Sequence, residues 1–295
     1  QEKFSHLKEG EIILMENIRY FKEESNNDIN FAKKLSNLGD IYINDAFSCS
    51  HRKQASIHNI TKFIKNSFAG PLLKKEINAI NLIIQNRRKP VTCIIGGSKI
   101  STKINVITSL IKKINNLIIV GAMANNFFIY KDLKVGKSLI EENTKEIIRK
   151  IYDKAKENRC EILIPEDCAV GSSFTGTGKN KDLNNIEDNE IILDIGPKTI
   201  ENIRHKITQS NTVLWNGPAG YFENENFMAG TASIAEIISK NTIEKFMISI
   251  LGGGDTLAAI NKCGGKFSFT HLSTAGGAFL EYLEGKDLPG LSVLK

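Results

Sequence analysis

Two lysines follow a glycine pair in a pattern suited to phosphate binding. The apolar run Val91–Ile95 leads into Gly96-Gly97-Ser98-Lys99, and Lys103 comes four residues after Lys99, so both lysines are expected on one face of the following helix. Glycines expose backbone N–H groups, and a helix N-terminus attracts an anion. Neither a Walker A loop nor a dinucleotide-binding G-x-G-x-x-G pattern is present. A solvated helix face is the alternative, and we favour phosphate binding.

An acidic residue stands in a second glycine-rich loop. Asp255 follows Gly252-Gly253-Gly254 and precedes Thr256 and an apolar helical run. Its carboxylate could cap that helix, or it could hold Mg²⁺, which takes one or two protein carboxylates together with phosphate oxygens and water. Beside phosphate-binding loops we favour magnesium. Glu223 follows a further strand and loop, and by itself it would be unremarkable.

Arginines occupy comparable positions in the first seventy residues. Arg19 comes after the strand candidate Glu11–Met15, and Arg52 comes after the strand candidate Ile41–Asn44. A guanidinium group offers a planar fork that matches phosphate or carboxylate. Surface charge or an internal ion pair is the alternative, and we favour capture of an anionic ligand.

Five strand–loop–helix units must position these side chains. Their strands are Val91–Ile95, Leu117–Val120, Thr212–Trp215, Phe246–Leu251 and Phe267–Leu272, each followed by a glycine-rich or small-residue loop. This alternation predicts a parallel sheet covered by helices, with the loops gathered along one edge where ligands bind. The apolar spacing of Leu72–Asn86 predicts a helix that links two lobes, and the polar, glycine-rich segment 171–188 predicts a surface excursion.

Composition excludes several classes of protein. The 295 residues are 41% hydrophobic and 24% charged, which is typical of a soluble folded protein and predicts about two domains. The net charge of +6 is spread along the chain, so phosphorylated small molecules are favoured as partners over nucleic acid. The five cysteines form no CxxC pair, which favours reduced thiols in the cytoplasm. No apolar run is long enough to span a membrane.

The segments named so far, taken with several others, resemble the phosphoglycerate kinase family. The matching motifs run in family order across nearly the whole chain: Leu14 to Phe21, Asn44 to Phe47 with His51-Arg52, Ala69 to Leu72, Gly96 to Lys103, Asp194 to Pro197, Trp215 to Pro218, Gly252 to Thr256, and His271 to Gly277 with Leu283 to Lys286. The resemblance implies an α/β fold with two Rossmann-like, three-layer lobes whose parallel sheets are joined by a helix.

The resemblance also implies a division of the chain and a reaction. Residues 1–71 would form a phosphoglycerate-binding lobe, 72–86 the interdomain helix, 87–282 the nucleotide-binding lobe, and 283–295 a tail that packs back on the first lobe. The implied reaction, a step of glycolysis, is reversible phosphoryl transfer between 1,3-bisphosphoglycerate and MgADP, giving 3-phosphoglycerate and MgATP. A monomer that closes about its hinge is implied as well.

Each candidate residue takes a role from its matching position in the family. Arg19 and Arg52 would bind phosphoglycerate, and Lys99, Gly276 and Gly277 would serve catalysis at the migrating phosphoryl group. The nucleotide would be bound by Lys103, Gly121, Asn216, Glu223, Gly253, Gly254, Asp255 and Thr256. Asp255 would also hold Mg²⁺.

The chain departs from the family pattern at several places. The family's opening R-x-D-x-N strand end and S-H-L-G-R-P loop have no counterpart here, so the N-terminal lobe is expected to be incomplete. Ser48-Cys49-Ser50 replaces Gly-Thr-Ala, and Ala275 replaces the first glycine of a Gly-Gly-Gly run, which reduces backbone freedom. A non-catalytic, nucleotide-binding fragment is therefore the alternative to an active kinase.

Overall fold

Buried strands and helix faces divide the chain into two units, each held together by contacts among its own residues. The structure, a computed structural model, describes residues 7–294. One unit holds the described residues up to Asn78 together with those from Gly285 onward, and the other holds Ala79–Glu284. The division falls inside a helix that the sequence predicts as the link between lobes. The two units are described separately below.

The first unit contains a small parallel sheet. Its elements are α1 (Lys22–Ser25), α2 (Ile29–Ser36), β1 (Tyr42–Asn44), β2 (Ser67–Ala69) and the beginning of α3 (Pro71–Ile84), with 3₁₀ turns at Ile18–Tyr20, Phe47–Cys49 and Asn59–Lys62. Strands β1 and β2 pair in parallel, so that Ile43 lies opposite Phe68. Both side chains are substantially exposed, at 59% and 41%. The described part of this unit therefore has a two-stranded sheet with an apolar face open to water.

One predicted strand of the first unit is wrong. Residues Glu11–Met15 form no strand, and Ile12 and Leu14 are 92% and 97% exposed. An apolar run becomes a strand only when a neighbouring strand accepts its backbone hydrogen bonds. Among residues 7–294, nothing pairs with this segment. The strand predicted at Ile41–Asn44 is confirmed as β1, one residue shorter.

The second unit is built on a six-stranded parallel sheet. Its strands are β3 (Val91–Ile95), β4 (Asn116–Ile119), β5 (Glu161–Leu163), β9 (Thr212–Asn216), β10 (Ile248–Gly252) and β11 (His271–Ser273). They lie side by side in the order β11, β10, β9, β3, β4, β5. All five residues of β3, β9 and β10 are buried, as expected for parallel strands covered on both faces.

Helices cover the two faces of this sheet. They are α4 (Ile104–Ile111), α5 (Ala124–Tyr130), α6 (Lys145–Glu157), α7 (Pro197–Thr208), α8 (Ala229–Lys245), α9 (Gly254–Lys262) and α10 (Gly277–Glu284). One face, with Ile94 and Trp215, packs on residues of α7, α8 and α9. The neighbouring residues Cys93 and Leu214 point to the opposite face and are equally buried. Helix α4 contacts both α6 and α10, and these helices make up the second helical group, which gives the three layers predicted for the nucleotide lobe.

A three-stranded antiparallel sheet was not predicted. It consists of β6 (Asp167–Gly171), β7 (Lys179–Asp182) and β8 (Ile191–Ile195), with β6 in the centre. Strand β7 lies within the polar segment predicted as a surface excursion, and three of its four residues are exposed. Charged residues on an exposed edge strand carry no hydrophobic alternation, so the sequence pattern gives no sign of this strand.

The last described helix belongs to the first unit. Helix α11 (Pro289–Ser292) follows residue 285, and the Gly290 backbone N–H donates to the Ser50 carbonyl oxygen over 2.8 Å. The Asn44 side-chain amide donates to the Gly290 carbonyl oxygen over 3.1 Å. A Cβ atom on Gly290 would come within 2.9 Å of the Ser50 Cα atom. The absence of a side chain at Gly290 therefore allows this close backbone packing.

A buried aspartate caps helix α7, and its loss is expected to destabilise the second unit. The Asp167 carboxylate accepts from the backbone N–H groups of Lys198 and Thr199, at 2.9 and 2.8 Å, and from the Thr199 hydroxyl at 2.6 Å. Asp167→Ala removes a buried cap, so we expect the free energy of unfolding to fall by about 2 kcal/mol in urea titration. Asp182→Ala is the control, because this exposed carboxylate pairs with the Lys198 ammonium group and should contribute at most about 1 kcal/mol. Equal losses of unfolding free energy in the two variants would contradict the role of Asp167 as a helix cap.

Candidate active site

Backbone-to-backbone packing joins the loops that follow three strands of the large sheet. The Gly96 N–H donates to the Asn216 carbonyl oxygen over 2.8 Å, and the Gly121 N–H donates to the Ala219 carbonyl oxygen over 3.1 Å. A Cβ atom on Gly96 would lie 2.2 Å from the Pro218 carbonyl oxygen. The loops after β3, β4 and β9 therefore meet at one edge of the sheet, as the repeated strand–loop–helix pattern predicts.

Lys103 lies at the centre of these loops. It ends a 3₁₀ turn, Ser101–Lys103, and its ammonium group donates to the Gly96 carbonyl oxygen over 2.7 Å and to the Asn216 side-chain oxygen over 2.8 Å. The Asn216 amide donates in turn to the Gly252 carbonyl oxygen over 2.7 Å. Three strand ends are thus connected through one cation and one amide.

The burial of Lys103 changes its protonation. Removal from water lowers the pKa of its ammonium group to about 8, and the nearby Asp255 carboxylate partly opposes this shift. Asp255 lies exposed in the first turn of α9. A cation and a carboxylate therefore stand together beside the glycine loops. An anionic ligand that reached Lys103 would favour its charged form.

Thr256 fixes the glycine loop that precedes α9. Its hydroxyl accepts from the Gly217 N–H over 2.7 Å and donates to the Gly252 carbonyl oxygen over 2.9 Å. Gly253 has a φ of +103° and a Cβ atom there would lie 2.8 Å from the Asn216 amide nitrogen, whereas Gly254 is exposed with open space around it. The predicted residues Asn216, Gly253 and Thr256 therefore form one connected group, and Gly254 faces solvent.

A cavity of about 360 Å³ opens beside this group. Its walls are largely apolar and include Phe128, Leu139 and Leu193, while Gly121, Glu223 and Asp255 supply the predicted polar and glycine positions. This volume and this mixture of apolar wall and few polar groups are typical of small-ligand sites. Lys103 does not line the cavity and lies beneath the glycine loop. Glu223 is exposed, and its carbonyl oxygen accepts from the Lys262 ammonium group over 2.7 Å.

Lys99 and Lys103 do not share a helix face. Helix α4 begins only at Ile104, after both lysines. Lys99 is exposed. Burial raises the pKa of the Glu141 carboxyl group, but hydrogen bonds from Ser101 and Ile100, with a smaller effect of the Lys99 charge, lower it overall. Glu141 also accepts from the Ser101 N–H over 3.2 Å. The glycine loop therefore holds one lysine inward and leaves the other free to reach a ligand.

The two adjacent glycines at the start of α10 have space around them. Gly276 and Gly277 are exposed, and no atom lies within 4 Å of a Cβ built on Gly276. Helix α10 begins at Gly277. Backbone N–H groups at this helix start are therefore accessible to solvent, as the predicted role at a phosphoryl group requires.

The two predicted arginines of the first unit lie at one turn. The Arg19 guanidinium donates to the Cys49 sulfur over 3.4 Å, and the Arg52 N–H donates to the Cys49 carbonyl oxygen over 3.0 Å. Both arginines are exposed. The Arg19 guanidinium is therefore held on the sulfur of the Phe47–Cys49 turn, and the Arg52 backbone is bonded to the same turn.

A magnesium ion fits the donor set around Asp255. Among residues 7–294, no group of three or more His, Cys, Asp or Glu side chains is arranged to hold a metal. Mg²⁺ commonly uses only one or two protein carboxylates and takes its other ligands from phosphate and water. The exposed Asp255 carboxylate at the cavity wall can supply such a single ligand.

The part of the chain that the structure describes has no helix long and apolar enough to cross a membrane.

The sequence of the chain matches a known family model over most of its length. The family model described as phosphoglycerate kinase matches residues 1–286. The chain belongs to the phosphoglycerate kinase family. Among curated relatives, "Phosphoglycerate kinase" of Wolbachia pipientis subsp. Culex pipiens is 47% identical over 96% of this chain and 72% of its own length. The protein of the same name from Dictyoglomus turgidum is 43% identical over 100% of this chain and 74% of its own length.

Solved structures support the same assignment. The phosphoglycerate kinase of Coxiella burnetii superposes with a TM-score of 0.87 at 38% identity, covering 94% of this chain and 71% of that protein. The phosphoglycerate kinase of Pyrococcus horikoshii gives a TM-score of 0.84 at 31% identity, with coverages of 99% and 75%. The predicted family and α/β fold are confirmed. A family match over nearly the whole chain favours the phosphotransferase over the non-catalytic alternative.

The sequence patterns assign no role to several residues around this cavity. Phe174 and Asn125 line the cavity, and Asp194 forms part of its wall. Asp194 belongs to a segment that carried the family resemblance, yet a single carboxylate at a strand end has no spacing to mark it. Phe174 lies in the glycine- and serine-rich loop predicted as an excursion, where its ring packs on Tyr221 with centroids 5.1 Å apart. Only the folded loop reveals this contact.

Proposed function

We propose that the chain catalyses reversible phosphoryl transfer between 1,3-bisphosphoglycerate and MgADP, giving 3-phosphoglycerate and MgATP. The observation that carries this proposal is the convergence of glycine loops, Lys103 and Asp255 beside one cavity in a member of this family. The free state of all five cysteines fits a reducing compartment such as the cytoplasm. A monomer is part of the proposal.

The nucleotide would occupy the cavity and the loops above Lys103. Apolar walls suit a purine base, and Glu223, which lines the cavity, would bond the sugar. Lys103, the Gly253-Gly254 backbone and Thr256 would fix the phosphates. Asp255 would hold Mg²⁺, which when bound neutralises phosphate charge. Each of these groups binds and orients the nucleotide and requires no proton transfer.

Catalysis would depend on charge placed around the migrating phosphoryl group. Lys99 is exposed, so its side chain can move with the phosphoryl group from the donor oxygen to the acceptor oxygen. The Gly276-Gly277 backbone would donate N–H groups from the start of α10. Arg19 and Arg52 would bind the anionic phosphoglycerate. Phosphoryl transfer needs positioning and electrostatic stabilisation more than a base.

A turnover assay and a binding assay together test the proposal. We expect ATP-dependent phosphorylation of 3-phosphoglycerate in a coupled assay, and MgADP binding in calorimetric titration. Binding without turnover would favour the non-catalytic nucleotide-binding alternative. A folded sample with neither turnover nor MgADP binding would refute the proposed site.

Deprotonation of Lys103 is expected to weaken MgADP binding at alkaline pH. Its pKa of about 8 means that the ammonium form dominates below pH 8 and is lost above it. Because a charge-assisted bond to phosphate disappears, the Kd for MgADP should rise about tenfold between pH 7.5 and 9.5. Calorimetric titration across this range measures the change. Lys103→Gln should bind weakly at every pH, and a variant that keeps the alkaline loss would contradict the role of Lys103.

A further inference from the structure

Asp194 connects a strand end to a helix start at the wall of the cavity. It lies in β8, is only 3% exposed, and stands between the lining residues Leu193 and Ile195. One carboxylate oxygen accepts from the Ile195 N–H over 2.9 Å, and the other accepts from the Gly230 N–H over 2.8 Å. Gly230 is in the first turn of α8. Only an ionised carboxylate offers both oxygens as acceptors without a competing proton.

The same carboxylate contacts the loop that lines the cavity. A Cβ atom on Gly220 would lie 2.4 Å from an Asp194 carboxylate oxygen, so the loop backbone packs directly on it. The next residue, Tyr221, donates its N–H to the Leu193 carbonyl oxygen over 2.6 Å. The Ala219 N–H donates to the Thr231 hydroxyl of α8 over 3.0 Å. Both supports of this loop, β8 and α8, are therefore tied together by Asp194.

We propose that Asp194 is a positioning residue for the nucleotide: its ionised carboxylate holds α8 and the 219–223 loop in the arrangement that binds the nucleotide, and its protonation weakens binding. This inference rests on the proposed function, because the ligand of the cavity is the nucleotide of that reaction. Asp194 acts through the loop and α8, since its own oxygens are already bonded to the protein.

The surroundings of Asp194 make its protonation occur near neutral pH. Burial raises the pKa of its carboxyl group to about 7, and the two backbone N–H bonds offset only part of this effect. The ionisable groups on the elements packed against Asp194 include Cys263 at the end of α9, which interacts electrostatically with it, Cys168 on the paired strand β6, Tyr221 in the loop and Glu236 on α8. None of these four side chains can carry a positive charge, so none of them offsets the burial of a negative charge.

Protonation has opposite consequences for stability and for binding. The folded pKa lies above the unfolded value of 3.8, so the contribution of this group to stability falls as pH rises from about 4 to 7. Nucleotide binding should improve over the upper part of the same range, because ionisation restores both N–H bonds. If the Asp194 carboxylate served only as a helix cap, stability and nucleotide binding would change in the same direction as pH rises.

Matched variants of two buried aspartates test the proposal. MgADP binding is measured calorimetrically from pH 5.5 to 7.5 for the unaltered chain, Asp194→Asn and Asp167→Asn. Asp167 also caps a helix, is also 3% exposed, and does not line the cavity. At pH 7.5 we expect Asp194→Asn to bind about tenfold more weakly than the unaltered chain, with the ratio approaching one at pH 5.5. Comparing variants at each pH removes the titration of the nucleotide itself.

The possible results separate this inference from the proposed function. Asp167→Asn should follow the unaltered chain at every pH. A pH-independent ratio for Asp194→Asn, or the same pH-dependent loss in Asp167→Asn, would overturn the role of Asp194 and leave the nucleotide site intact. If the unaltered chain binds no MgADP, both proposals fail.

A measurement on the unaltered chain covers the case in which Asp194→Asn does not fold. Binding that requires ionised Asp194 must release a proton, and at pH 6.5 Lys103 is already protonated and takes up none. Titrations with MgADP at pH 6.5, in buffers of different ionisation enthalpy, should show net proton release. Zero release or net uptake would overturn the proposal.

Discussion

Replacing Lys99 by alanine is expected to lower kcat by about 10²- to 10³-fold while leaving MgADP affinity nearly unchanged. Lys99 is exposed and does not line the cavity, so the bound nucleotide loses little when its ammonium group is removed. The transition state loses a preorganised cation at the developing charge, and removal of one such donor has this magnitude. Steady-state kinetics of the coupled reaction, together with calorimetric titration of MgADP, measure the two quantities.

Lys240→Ala provides the matched control. Lys240 is an exposed lysine of α8 and lines none of the cavity. Its removal changes net charge by the same amount as Lys99→Ala, so a shared loss of rate would reflect long-range charge. If Lys99→Ala kept the full kcat, Lys99 would have no part in phosphoryl transfer. Equal loss of MgADP affinity and of rate would instead make it a nucleotide-binding residue.

Replacing Gly217 by alanine is expected to disrupt both stability and nucleotide binding. Its φ is +99°, and a Cβ atom there would lie 2.4 Å from the Gly96 carbonyl carbon. Left-handed strain and backbone overlap together should cost at least about 3 kcal/mol. The added Cβ atom would push apart the loops after β3 and β9. Because these loops hold Lys103 and its partner Asn216 together, MgADP binding should also be lost. Urea unfolding and calorimetry measure both effects.

Gly176→Ala is the control for Gly217→Ala. Gly176 lies in a surface loop, and the nearest atom to its Cβ position is 3.4 Å away, an ordinary contact. This variant should stay within about 0.5 kcal/mol of the unaltered chain. If Gly217→Ala were equally mild, the glycine loops would be less tightly packed than the distances indicate, and the cation network would need another explanation.

The parts predicted well are those with a strong hydrophobic signal. The strand predicted at Val91–Ile95 is confirmed to the residue, because a strand buried on both faces has one unbroken apolar run. The helix predicted at Leu72–Asn86 is confirmed as Pro71–Ile84, with buried Leu73 and Ile80 on its predicted apolar face. Periodicity and run length report burial, and burial determines these elements.

Other features depended on contacts that the sequence does not encode locally. Strand β7 is polar and gains its structure by pairing with β6. The lysines were expected on one helix face, but the chain continues as a loop and 3₁₀ turn before α4 begins at Ile104. Asp194 acquires its place only when β8, α8 and the Gly220 loop meet. These three features are products of tertiary packing.

The open apolar face of the small sheet in the first unit has a consequence for the behaviour of the chain in solution. Ile43 and Phe68 lie side by side on β1 and β2, and both remain in contact with water. The net charge of +6 keeps molecules apart at low ionic strength. Added salt screens that repulsion and strengthens apolar attraction. This face should therefore favour clustering of the molecules that grows with ionic strength and protein concentration.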